Sequence, residues 1–371
     1  MRVDGLAGSA TAATIAQLPR HEHPYLVIVN DLDEAGYLYN DLCHLADDRQ
    51  ALFFPSGYKR DIKYGQIDAP NDILRTEVLG RWHSDDRLRW VVTYPEALAE
   101  RVATRQVVSH STVELAVGQH VDLIDIAARL RELGFVEVDY VYEPGQMALR
   151  GSLLDVFSYS NELPCRIDFF GDEVDSIRLF NIETQLSERR LDSVSLLPNA
   201  GSRSRDNDSV SLLDYAGADT MVVCRDVQWV IDRVRAIGDE DFSSSALLAG
   251  EGDSSALDNV VDVEAFARAI SAMRRIEVVN GPQPSCADAA LTLHCEPQSI
   301  FHKNFDLISS SFRQLQTDGY RLLVLSDNAK QLQRLRDIFA DRGDDITFDP
   351  VLTTLHEGFV DHDLHLCQKM N

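Results

Sequence analysis

YEPGQMALRGSLLDVFSYSNELPCRIDFFGDEVDSIRLFNIETQLS, Tyr142–Ser187, is the stretch whose reading decides the fold of this chain. Its runs SLLDVFSY, CRIDFFG and EVDSIRLFN alternate apolar and polar residues, the pattern of strands with one face buried. NELP and GDE between them supply the turn chemistry that joins antiparallel strands. By the period of two, Arg166, Asp168 and Phe170 share one face and Phe169 points the other way, into the domain. The strands VEVDYVYE and SVSLLP and the helix VDLIDIAARLRELGF flank the stretch, so residues 111–200 read as a small α+β domain.

On either side of it the texture is different. YLVIV from Tyr25 reads as a buried strand, and Asp31 then caps an amphipathic helix through EAGYLYNDLCHLA. The alternation repeats with ALFF, a helix around NDILRTEVLGRW, the strand RWVVTY and a helix beginning near Pro95. After Pro198 and the polar run NAGSRSRDNDS it resumes with TMVVC and DVQWVIDRVRAI, and again with YRLLVLSD and NAKQLQRLRDIFADRG. Strands alternating with helices imply a parallel sheet with crossover helices. The expected architecture is one α/β domain, residues 1–110 and 201–371, interrupted by the small domain. An acidic, Ser/Gly-rich run near 239–258 reads as a mobile loop within the second half.

Composition narrows the function classes. The 371 residues carry a formal net charge of −25, which repels a polyanion unless a local basic patch overcomes it. Autonomous tight DNA binding is disfavoured. No apolar run approaches the roughly 18 residues of a membrane span, and no signal peptide is apparent. The six cysteines form no C-x-x-C pair, so a reducing cytoplasm fits best. HEH at His21–His23 and DHDLH at Asp361–His365 are too commonplace to predict a metal, and no cofactor is expected.

VDGLAGSATAAT, Val3–Thr14, has the outline of a phosphate-binding loop, G-x-x-x-x-G-K-[ST]. Aligned from Gly5 and through Gly8, it puts Ala10 where the second required glycine belongs, Thr11 in the lysine position and Ala12 in that of the Mg²⁺ hydroxyl. Without lysine, a triphosphate would meet only amide dipoles, weak when screened by water. Met1–Asp4 also look too few to form a full strand presenting the loop, as though the chain had been cut at its start. The expectation is a degenerate P-loop with neither nucleotide nor catalytic residues.

Within Tyr142–Ser187 the pattern G-x-x-x-x-R-G, L-D-x-F and R-x-[DE]-F-F-x-D-E-[IV]-[DE]-S-[IL]-R-x-F resembles the second domain of UvrB and of the bacterial transcription-repair coupling factor, Mfd. VDSVSLLP continues the likeness, and LHEGFVDHDLHL resembles the strand on which that module closes. The stripped loop, and the absence of room for a long aromatic hairpin in FFPSGYKRDIKYGQIDAPND, where only Tyr58 and Tyr64 stand, are more similar to the coupling factor's UvrB-like module. That resemblance implies a helicase-like, P-loop-type α/β domain without ATPase activity of its own, within an ATP-dependent DNA translocase. It also implies a small domain that binds UvrA for nucleotide excision repair. RNA polymerase and DNA would be contacted only through later domains. The family's UvrA contacts fall on Arg150, Arg166 and Phe170. Arg150 and Arg166 are expected in neighbouring strand segments, their guanidinium forks side by side for a partner's carboxylates, with Asp168 orienting Arg166. Arg178 and Glu173 could extend the patch. A UvrB-like DNA-stimulated ATPase, a DNA-damage-binding module and a bracing role within a larger protein are the alternatives.

Overall fold

The computed structural model describes residues 1–46, 48–57, 69–161, 163–200, 209–238, 260–279, 289–301 and 304–370. Tyr58, Tyr64 and the run 239–258 lie outside them.

The apolar runs of the first segment become strands because nothing in them favours any other use of a backbone buried on both faces. β1 (Arg2–Asp4), β2 (Tyr25–Ile28), β3 (Ala51–Phe53) and β4 (Trp90–Thr93) alternate with α1 (Ala10–Ala16), α2 (Leu32–Leu45) and a helix over Ala69–Arg81. The Asp31 side chain accepts the Glu34 N–H at the start of α2, as its position before the amphipathic run predicts. β5 (Val102–Ala103) leads to β6 (Val113–Ala116) and into the small domain.

There, β7 (Val136–Glu137), β8 (Gln146–Arg150), β9 (Leu153–Val156), β10 (Cys165–Phe170), β11 (Glu173–Phe180) and β12 (Ser187–Leu191) form a sheet in the order β12-β11-β10-β9-β8-β7. It is antiparallel except where β7 meets β8. VEVDYVYE contributes only the two residues of β7; the rest of that run is irregular. β13 (Ser193–Leu196) returns to pair with β6, beside the entry to the domain. Met147, Leu154, Ile167, Phe169 and Ile177 point from one face of the sheet into a core closed by Leu115, Leu130 and Phe135, the middle one from the helix Leu123–Glu132.

The chain then passes β14 (Ser209–Val210) and β15 (Val222–Cys224), and reaches β16 (Arg275–Val279) and β17 (Ala290–Thr292). These complete a seven-stranded sheet, β17-β1-β16-β15-β2-β4-β3, in which every pairing is parallel. Two sequence expectations change here. Met1–Asp4, judged too short to present the glycine loop, supply β1, held between β16 and β17; three residues suffice because neighbours on both sides satisfy them. The span 201–371, expected as one returning half-domain, divides among three sheets: β14 pairs with β5, β15 to β17 join the seven-stranded sheet, and the remaining strands stand apart. From Cys295, β18 (Cys295–Pro297), β19 (Arg321–Leu325), β20 (Asp349–Val351), β21 (Phe359–Asp361) and β22 (Leu366–Met370) build a third, in the order β18-β21-β22-β19-β20. Its core of Leu322 and Val324 against Phe312, Phe339 and Phe348 is its own. The strand–helix signal of YRLLVLSD is local, whereas the choice of sheet depends on non-local pairing with β20 and β22. Among the described residues no helix is long and apolar enough to cross a membrane.

Candidate functional site

The outer face of the six-stranded sheet carries the charges predicted from the sequence, held by a residue that the sequence did not single out. Asp155, 1% exposed on β9, stands between β8 and β10 and pairs with Arg166 in register. Its Oδ1 accepts from Arg166 Nε at 2.7 Å and its Oδ2 from Arg166 Nη2 at 2.9 Å, a bidentate fork. The same Oδ2 accepts from Arg150 Nη2. The two arginines are therefore not on neighbouring strands; they flank β9 and converge on one carboxylate. Arg166 also lies 4.5 Å over the Phe180 ring, and Arg150 lies 5.1 Å over Tyr140. Donating these hydrogen bonds to Asp155 raises the Arg166 pKa above its ordinary value against the opposing effect of burial.

Asp168 does not orient Arg166. It accepts from Ser152 Oγ at 3.3 Å and lies 3.5 Å from Arg178 Nη2, while Arg166, two residues back on the same strand, stands across from Asp155. Phe169 is buried, as the alternation requires, and Phe170 is 82% exposed at the end of the same strand. The face thus joins two clamped guanidinium groups with an uncovered aromatic ring. Sequence reading quoted Asp155 only as the Asp of L-D-x-F and gave it no role, because an Asp in L-L-D-V-F looks like one more polar residue on a solvent-facing strand; its burial follows only once arginines from two other strands cover it.

The residues aligned with the P-loop form a different kind of site. Gly5 and Gly8 both have positive φ, +80° and +52°. A Cβ on Gly5 would overlap the Leu293 carbonyl oxygen, and one on Gly8 would sit 2.9 Å from the Gly358 carbonyl oxygen. Cys295 N–H donates to the Gly5 carbonyl at 3.0 Å, and Ser9 N–H donates to the Glu357 carbonyl at 3.3 Å. Ser9 Oγ donates to Asp41 Oδ2 at 2.5 Å, and the other Asp41 oxygen accepts His356 N–H at 2.6 Å. Burial raises the Asp41 pKa, opposed by these hydrogen bonds. The His356 ring is stacked on Tyr37 with centroids 3.4 Å apart. Ala10 and Ala12 are buried, and Thr11 and Ala12 line a cavity of about 420 Å³ bordered also by Asp31, Glu34, Asp41 and Glu357. Among the described residues no group of three or more His, Cys, Asp or Glu is arranged to hold a metal.

Residues 113–201 match the family model described as the UvrB interaction domain. The chain is 28% identical over 231 residues to the transcription-repair-coupling factor of Escherichia coli (strain K12), which covers 62% of this chain and 20% of that protein. It is 30% identical over 196 residues to that of Bacillus subtilis (strain 168), 52% of this chain and 16% of the relative. To that of Myxococcus xanthus it is 30% identical over 206 residues, covering 53% and 17%. The chain spans a fifth or less of the length of these relatives. The arginine-bearing sheet lies within the matched segment, and the chain carries the UvrB-like module of the transcription-repair-coupling factors.

Proposed function

We propose that this chain is a protein-interaction module whose small domain binds UvrA through Arg150, Arg166 and Phe170, bringing excision repair to stalled transcription complexes, and that it hydrolyses no ATP itself. The observation that carries the reading is the face of β8 to β10 within a matched UvrB interaction domain: one buried carboxylate fixes two arginines there, beside an aromatic ring left 82% exposed. Side chains pinned in this way give up little freedom on meeting carboxylates, and an exposed Phe gains by being covered. Asp155 takes Nη2 of Arg150, which leaves other donors of that side chain available to a partner, whereas Arg166 also reaches the Gln185 carbonyl and side-chain oxygens at 3.4 Å, long bonds that a partner's carboxylate would displace.

The second half of the reading takes the Gly5–Ala12 loop as a P-loop turned to internal packing. A phosphate there would compete with the Glu357 carbonyl for the Ser9 amide, and would face Asp31, Asp41 and Glu357 with Thr11 where lysine would neutralise it. In this reading contact with RNA polymerase and DNA belongs to other segments of a longer protein of the coupling-factor type, and that protein's translocase activity resides there too. The domain scheme 1–110 and 201–371 around 111–200 is proposed with it, with β18 to β22 as a distinct sheet on the second half. The test is calorimetric titration of purified UvrA into the whole chain, beside Mg·ATP into the same sample. Saturable UvrA binding without ATP binding in the micromolar range is expected. No UvrA binding would refute the interaction role, and micromolar ATP binding would refute the degenerate loop.

A further inference from the structure

We propose that the partner-binding surface of the small domain reaches beyond Arg150, Arg166 and Phe170 to Arg190 on β12, where it meets further carboxylates of the same protein partner. The inference rests on the UvrA reading above. Its basis is register. Arg166 on β10 stands directly across from Arg178 on β11, and Arg178 directly across from Arg190 on β12. Three guanidinium side chains therefore form a row on the face turned away from the core. Like charges directly opposite one another on adjacent strands repel, so such a row needs anions.

The domain supplies them unevenly. Arg166 donates a bidentate fork to Asp155 at 2.7 and 2.9 Å, and among the described residues Arg178 has only the longer contact with Asp168 at 3.5 Å. Its Nε is buried with no hydrogen-bond partner among the described residues. Arg190 is exposed, and among the described residues it has no ion pair. Glu188, the acid two residues before it, accepts from Asn181 Nδ2 at 3.1 Å instead. Anionic compensation thus declines from β9 toward the sheet edge at β12, in a chain whose net charge of −25 offers no shortage of carboxylates. An acidic protein surface laid across β10 to β12 completes the row. Phe170 and Leu186, 82% and 68% exposed, add apolar surface that a protein covers and a phosphate backbone does not.

Calorimetry of UvrA against the whole chain tests this with Arg190→Glu, with Arg189→Glu as a control that faces Leu179 rather than the arginine row, and with Phe170→Ala, which leaves the Asp155 clamp intact. Arg190→Glu is expected to weaken UvrA by roughly tenfold or more, as reversal of an interfacial charge does, with its melting midpoint unchanged and Arg189→Glu close to the parent. Unchanged affinity in Arg190→Glu, alongside loss in Phe170→Ala, overturns the extension and leaves the UvrA reading standing. Full affinity in every variant, or none in the parent, overturns the reading of the face itself. Duplex DNA bound at the same salt by the parent and released by Arg190→Glu would overturn the assignment to a protein partner.

Discussion

The glycine loop between β1 and α1 and the arginine face of β8 to β12 were both flagged by short motifs, yet they stand in opposite relation to the rest of the chain. At the loop the chain meets its own needs: Ser9 N–H is bound to the Glu357 carbonyl, Ser9 Oγ to Asp41, and the space over Gly5 and Gly8 holds carbonyls of Leu293 and Gly358. On the arginine face the needs are met only in part, firmly at Asp155 and loosely at Asp168. Donors already engaged at short range make a joint, whereas donors held in place with capacity to spare make a receptor.

The sharpest way to break this comparison is Asp155→Ala. Removing a buried carboxylate shared by two arginines costs about 3–5 kcal/mol where both partners are buried; the partial exposure of Arg150 and Arg166 puts this case near the low end. A clear fall in the thermal midpoint, followed by circular dichroism, is expected together with loss of UvrA binding. An unchanged midpoint would mean that the carboxylate holds nothing. Phe170→Ala comes next: about 2–4 kcal/mol of binding, roughly 30-fold to 1000-fold, with stability altered by no more than about 0.5 kcal/mol. Undiminished UvrA binding by that variant would remove Phe170 from the face. Gly5→Ala probes the joint, where a side chain at φ +80° against the Leu293 carbonyl should destabilise by about 1–3 kcal/mol in a denaturant titration. Salt should separate the two sites by sign. From about 0.1 to 1 M, screening of the −25 charge raises the midpoint while UvrA affinity falls, and parallel trends would contradict the contrast. The smallest effect is expected from Thr11→Lys, which should confer no ATP binding, because the amide of Ser9 stays engaged and the acids remain.

Particular residues show how far the sequence carried. The period of two in CRIDFF placed Phe169 inside and Phe170 outside, and Asp31 capped α2 as its position before the apolar run predicted. Both are local consequences of backbone geometry. Asp155 was given no role and Asp168 was misassigned because their partners are set by register across three strands. β1 was discounted for its length, since the strands that hold it lie more than two hundred residues away in sequence. The separate sheet of β18 to β22 was invisible for the same reason.

The place of β1 also bears on the order in which the molecule can form. Its two neighbours, β16 and β17, leave a ribosome about 270 residues after it, on the order of 15–50 s at about 5–20 residues per second. The small domain has no such wait, because its strands and core fall within one continuous stretch from Val113 to Leu196. A nascent chain arrested shortly before Arg275, with its small domain clear of the exit tunnel, should therefore expose a folded arginine face while β1 is still unpaired. Limited proteolysis of such a chain would spare 113–196 and cut around β1; equal protection of both would show that the first strand finds a temporary partner.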